Sequence, residues 1–348
     1  MTTISSTKPF AIPTTLVEDL KVVAVQLRNG DAPGPALSRA LAKIAELPPA
    51  TVLSARRDIA YAADLSSWQE PKLWPWIKRR TASHAELLQL HPQLAWLFVF
   101  HLSGYLREAA MHKISGPIDS PFLFAEILTR LNDWVYPVRV AAEQCAERTF
   151  PATNAAIVAK SSFALFLPSR NWSRWQEGRQ ILDATQSRRD VCAEMAARLI
   201  TAEGNRASRI AHEMLQHPHM DEHLEHLATK AKLPSVRSVA VDVLLRRRAS
   251  WQTGWDWQWI DKSMGIRRRV PSYTNRTIGI AVDQNKAMRA ALEDRSATVR
   301  AGALSALIAH EEDFPDAVPL AERLASDKSR KVRERAHFLL TRAAARRS

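Results

Sequence analysis

A seven-residue pattern, Asp-x4-Val-Arg, occurs three times in this chain, at residues 133–139, 294–300 and 327–333. A unit that recurs within one sequence restricts the fold to an array of like elements. Three positions after each Arg comes a small residue (Ala142, Ala303, Ala336), and six and seven positions after it come Cys145 and Ala146, Ala306 and Leu307, Leu339 and Leu340. On a helix turning about 100° per residue, these positions and the preceding Val fall within an arc of about 100°, the width of a core-facing stripe. The Arg lies at the stripe edge. An Asp in the preceding turn can accept backbone N–H bonds at the helix start, and an Arg at the edge can bridge carboxylates and carbonyls.

Weaker copies carry visible defects. Val236 and Arg237 keep Ala240, Val243 and Leu244 but have Ala231 in place of the Asp; Asp183 and Arg189 keep Cys192, Met195 and Ala196 but have Arg188 in place of the Val. Leu106 and Arg107 keep Ala110 and Ile114, with His101 for the Asp and Lys113 on the stripe. Apolar segments at 122–131 and 317–325, with Pro121 and Pro315 near their starts, precede two of the turns. The unit is therefore helix, Asp-containing turn, helix. Such a pair cannot bury its stripe alone, so neighbours must stack on both sides.

This turn, with its small residue one helical turn later, resembles the HEAT repeat. The resemblance implies an all-α, right-handed α-solenoid of antiparallel helix pairs, in which Asp133, Arg139, Asp294, Arg300, Asp327 and Arg333 are structural and brace successive repeats. It divides the chain into an N-terminal helical cap or divergent repeats at 1–84, HEAT-like repeats at 85–250, a Trp/Arg-rich insertion at 251–280 and C-terminal repeats at 281–348.

Composition agrees with helices. Glycine numbers only 10 and the long stretches are rich in Ala, Leu, Arg and Glu, which disfavours an α/β enzyme built on glycine-rich phosphate loops. The stretch at 87–106 is uncharged, but Gln89, His91, Pro92, Gln93, His101 and Gly104 interrupt it, so two buried helices meeting near Pro92 are expected rather than a membrane span. Cys145 and Cys192 sit among apolar helix positions without ligand spacing and read as reduced, structural thiols. With no secretory leader in the first 15 residues, the expected location is cytoplasmic.

The formal charge is +13, and +11 of it lies between residues 228 and 348. An excess on one end of a chain points to a polyanionic partner. Within it, Trp251, Trp255, Trp257 and Trp259 are followed by Lys262, Arg267, Arg268, Arg269 and Arg276. Residues two apart on a helix point about 200° away from each other, so an extended or loop conformation is needed to align the three alternating Trp rings. Aligned, their faces suit base stacking while the Arg residues hold phosphates; packed, the same rings would fill a joint between repeats. Two lesser clusters share this composition: Trp68, Trp74 and Trp76 before Lys78, Arg79 and Arg80, and Trp172, Arg174 and Trp175 between Arg170 and Arg179.

Five of the 11 His lie at 212–226, and His219 to His223 spells H-x-x-E-H. Pro218 before it and Asp221 as an expected N-cap place a helix start inside the string, which takes His219 and His223 off a common face; no metal is expected. No nucleophile elbow, phosphate loop or dinucleotide fingerprint is present, so neither a catalytic residue nor a cofactor is assigned. The sequence reading is a non-enzymatic repeat scaffold docking an anionic partner, an acidic protein or a nucleic acid, through its basic C-terminal third, with no small-molecule substrate indicated. Two alternatives stand beside it. One is a plain protein adaptor. The other follows from a fold-level resemblance to the AlkD-like alkylpurine DNA glycosylases, HEAT-like proteins that are also basic and Trp-rich; Asp133 and Trp134 are the nearest match to their Trp, Asp and Arg constellation.

Overall fold

The structure, a computed structural model, describes residues 11–66 and 82–346. Helices form where the sequence supplies both a stripe and a start. Proline occupies the first turn at Pro35, Pro121 and Pro234, where its missing N–H has no partner to lose. Side-chain caps start others: Ser83 and Glu86 form a reciprocal capping box, and Ser120, Asn154, Asp283 and Ser296 each accept backbone N–H bonds.

Two units result, Met1–Gln186 and Ser187–Ser348. The first contains α1 (Thr14–Asn29), α2 (Pro35–Glu46), α3 (Val52–Ala62), α4 (His84–Leu90), α5 (Ala95–Phe98), α6 (Gly104–Lys113), α7 (Pro121–Arg130), α8 (Tyr136–Thr149), α9 (Ala155–Ser169) and α10 (Gln176–Gln186). The second contains α11 (Arg189–Thr201), α12 (Ala207–Met214), α13 (Leu224–Lys230), α14 (Pro234–Arg246), α15 (Gln284–Leu292), α16 (Ala297–Ala309), α17 (Ala317–Leu324) and α18 (Arg330–Ala345). Between α14 and α15 stand β1 (Arg248–Asp261) and β2 (Ile266–Thr277), paired antiparallel.

That hairpin makes the chain mostly helical rather than all-α. Its cause is local: alternating Trp residues and Val270, Tyr273 and Thr274 favour a pleated ribbon, and Gly265, at φ 70°, takes the left-handed conformation that closes the turn.

The stripes point inward. Val138, Ala142, Cys145 and Ala146 are buried in the first unit. In the second, Val299, Ala303, Leu304 and Leu307 of α16 pack between Val241 and Leu245 of α14 and Val332, Ala336 and Leu339 of α18. Burial raises the Cys145 thiol to about 11 and the Cys192 thiol to about 12, which leaves both protonated at neutral pH.

Each Arg of the recurring pattern folds back on its own turn. Arg139 Nη1 donates to Asp133 O, Arg300 Nη1 to Asp294 O and Arg333 Nη1 to Asp327 O. Arg107 and Arg237, whose turns lack the Asp, make the same bond to His101 O and Ala231 O. Each of the three aspartates in turn receives a bidentate pair from an Arg earlier in the chain: Asp133 from Arg107 (2.9 and 3.0 Å), Asp294 from Arg237 (2.8 and 2.9 Å), Asp327 from Arg300 (2.8 and 2.9 Å). At Asp294 burial opposes ionisation, yet the bonds from Arg237 and the Ser296 N–H outweigh it and hold the carboxyl below its ordinary range. Asp133 behaves likewise, and at Asp327 the Arg300 bonds are the largest influence.

In the copy at Asp183 and Arg189, Arg189 donates to Glu222, Asp183 lies 3.7 Å from Arg179, and Arg188, standing where the pattern has Val, pairs with Asp190. No helix among the described residues is long and apolar enough to cross a membrane. The cluster at Trp68, Trp74 and Trp76 with Lys78, Arg79 and Arg80 lies outside the described residues.

Candidate functional site

Strand β1 turns Trp-x-Trp-x-Trp into a row. In a strand, residues two apart share a face and stand about 6.6 Å from one another. Register places Trp255 opposite Pro271, Trp257 opposite Arg269 and Trp259 opposite Arg267, so all three rings and both guanidiniums belong to one face. The Arg residues interleave with the rings: Arg267 lies 4.3 Å from the Trp257 centroid and 5.8 Å from that of Trp259, and Arg269 lies 5.7 Å from that of Trp255. The three Trp side chains remain 53%, 54% and 49% exposed. A packed joint between repeats would have buried them.

Arg268, one residue out of phase, belongs to the opposite face, where it donates to Gln258 Oε1 at 2.8 and 3.0 Å beside an Asp256–Ser272 hydrogen bond. Lys262 sits in the turn, exposed, next to Asp261, whose carboxylate accepts the Ser263 and Met264 N–H bonds. At about 3.3 Å per residue the ribbon runs for roughly 40 Å, with Ile260, Met264 and Ile266 exposed at its tip. A two-stranded ribbon is marginal in water by itself. The cross-strand Trp–Arg contacts stiffen it, at about 0.5–1 kcal/mol each for exposed cation–π pairs.

Arg276 does not join this face. Its guanidinium forms a bidentate pair with Asp221 (2.7 and 2.8 Å) and donates to Leu215 O and His217 O, while the Gly279 N–H takes Asp221 Oδ2. Arg276 is thus the clamp at the base of the hairpin. Asp221 is 2% exposed and caps no α-helix, because the segment Pro218–His223 is a 3₁₀ turn and α13 begins only at Leu224. Asp221 was not legible as a hairpin anchor, since its partner lies 55 residues away. Replacing Asp221 with Ala is expected to cost about 2 kcal/mol, the scale of a charged hydrogen-bonded pair whose Arg partner keeps some contact with water, its side chain being 19% exposed. Amide hydrogen exchange should then show protection lost first at the hairpin base around Ala249 and Ile278; unchanged protection there would show that the clamp does not hold the ribbon.

Of the remaining clusters, Trp175 is buried and takes Trp172 edge-on at 4.9 Å, while Arg174 stays exposed. Among the described residues, no three His, Cys, Asp or Glu side chains gather as a metal site. Asp133 and Trp134 occupy the turn between α7 and α8. Trp134 is 75% exposed, but the Asp133 carboxylate is committed to Arg107, Arg130 and the Val135 N–H, so it has no lone pair facing a reactant in the manner a general base requires. Compared with known proteins, this chain matches no protein-family model and no curated protein.

Proposed function

We propose that the protein is a non-enzymatic scaffold of HEAT-like helix pairs, stacked within each unit, that docks an anionic partner on the Trp/Arg face of its hairpin. The observation that carries this reading is the row Trp255, Trp257 and Trp259, each half in water, with Arg267 and Arg269 between them. Three half-exposed indoles are costly to solvate, and a complementary surface that covers them recovers about 25 cal/mol per Å² of apolar area. The interleaved guanidiniums select for phosphate or carboxylate on that surface. The repeat reading is supported by the Arg-to-Asp links between helix pairs and by five Arg residues that each bond the carbonyl six residues earlier.

Binding to DNA, RNA and acidic proteins across a salt series tests the proposal. If the partner is nucleic acid, affinity should fall steeply with salt, and the double variant Arg267→Glu/Arg269→Glu should lower the log–log slope by about two, one per lost phosphate contact. An acidic protein partner would show the same variant dependence with a shallower slope. Binding that is salt-insensitive and indifferent to the double variant would leave a plain adaptor as the better description, and release of alkylated bases from DNA would replace the non-enzymatic reading with the glycosylase one.

A further inference from the structure

The first unit holds a cationic feature of its own. A cleft of about 500 Å³, within the size range of small-molecule sites, opens between α3, the start of α6, the turn after α7 and the segment after α9. At and beneath its floor three guanidiniums meet two carboxylates, of which Asp133 lines the cleft and Glu126 is buried behind it. Arg107 and Arg130 bond Asp133, and Arg130 also pairs with Glu126 at 2.7 Å. The third, Arg56, donates to Thr129 Oγ1 and reaches Glu126 only at 3.7 Å, and its Nε has no partner among the described residues.

Three guanidiniums stand against two carboxylates, and the closer pairings go to Arg107 and Arg130, so one positive charge is left over in a half-buried place. Burial accordingly draws the Arg56 guanidinium below its ordinary pKa, against the pull of Glu126. Holding an uncompensated charge away from water is expensive, and an anion bound there would relieve the cost. The cleft mouth adds Arg57 and Arg174, both exposed, and no acid other than Asp133 lines it among the described residues. Trp134 and the half-buried Trp172 supply flat apolar walls.

We propose that this cleft binds a phosphate-bearing ligand with an adjoining flat ring, the chemistry of a nucleotide, with the phosphate on Arg56, Arg57 and Arg174 and the ring against Trp134 and Trp172. A phosphate fits better than a single carboxylate because the weakly paired Arg56 together with the exposed Arg57 and Arg174 calls for a multiply charged anion with several acceptor oxygens. The ligand source is either a free mononucleotide or the phosphorylated end of a strand.

Titration with adenosine 5′-monophosphate, adenosine and a 5′-phosphorylated dinucleotide, followed by Trp fluorescence and by calorimetry, tests this. Saturable binding of the monophosphate is expected, weakened at least tenfold by Arg57→Ala/Arg174→Ala and about fivefold by Trp134→Ala, with adenosine at least tenfold weaker. Binding of the dinucleotide alone, with the same dependence on the variants, would assign the site to strand ends and still support it. Arg56→Gln separates site from fold: the ligand-free protein should melt no lower than the parent, since a strained charge is gone, yet lose the rise in Tm that the monophosphate gives. No binding of either phosphate, equal binding by the double variant, or adenosine binding as tightly as its monophosphate would overturn the proposal. The hairpin variant Arg267→Glu/Arg269→Glu should leave all of these results unchanged, so failure here and failure of the docking role are distinguishable.

Discussion

Replacing Asp294 with Ala is expected to destabilise the second unit by about 3–5 kcal/mol, the cost of leaving a buried charge without its partner. Arg237 is 1% exposed and sends two bonds to the Asp294 carboxylate and two more to the Ala231 and Lys232 carbonyls. Without Asp294 the carbonyls remain, but they cannot neutralise the guanidinium, and water cannot reach it. The Ser296 N–H at the start of α16 loses its acceptor in the same step. The double variant Arg237→Met/Asp294→Asn removes the charge, roughly keeps the volume and retains an oxygen for Ser296. It should therefore recover more than 1 kcal/mol relative to the single variant, a non-additivity that urea unfolding of the two proteins would measure. If the single and double variants unfold together, the buried Arg237 does not depend on Asp294 for compensation and the bracing role is wrong.

The second large effect is acid sensitivity from buried histidines. His101 is 3% exposed and its Nδ1 accepts the Ser103 N–H at 2.9 Å, so its ring proton sits on Nε2 and is donated to His84 Nδ1 at 3.1 Å. Protonating His101 would set an N–H against an N–H. Burial, then the His84 and Arg107 charges, lower it from 6.5 to about 3, and burial with the Arg276 charge lowers His217 to about 4.

Because these folded-state values lie below the ordinary one, the unfolded chain takes up the protons first. Their contribution to stability is complete above pH 6.5 and is lost as pH falls, at about 1.4 kcal/mol per pH unit for each His, down to about pH 3 for His101 and pH 4 for His217. At pH 5 each unit should have lost about 2 kcal/mol on this account. His84 and His212 are lowered by burial and add in the same direction. The depressed Asp133, Asp294 and Asp327 destabilise only once pH drops through the carboxylate range, so the interval between pH 4.5 and 6.5 belongs to the histidines. Stability curves for the parent and His101→Gln should diverge in slope there; parallel curves would mean that His101 titrates normally.

Both results bear on what could be read without a structure. The bond from each pattern Arg to a carbonyl six residues back lies within one turn and one helix, so periodicity and spacing were enough to place Val, Ala and Arg on their respective faces. The inability of a helix to align Trp255, Trp257 and Trp259 is likewise local, and it pointed to an extended or loop segment where the otherwise helical pattern breaks; the structure makes it a strand. Nothing in the order of residues, however, separates Arg267 from Arg276. Both follow the Trp run and both are basic, and only the chain's return to Asp221 turns one into a clamp while its neighbours face water.

The same division runs through the rest of the molecule. Helices, their starts, their inward stripes and the break at the hairpin were determined by the sequence, because each depends on groups a few residues apart. The pairing of Arg237 with Asp294 over 57 positions, the burial of Asp221 and the leftover charge at Arg56 were decided only by tertiary structure. Whether a charge is compensated depends on which distant side chains arrive beside it and on how much water leaves.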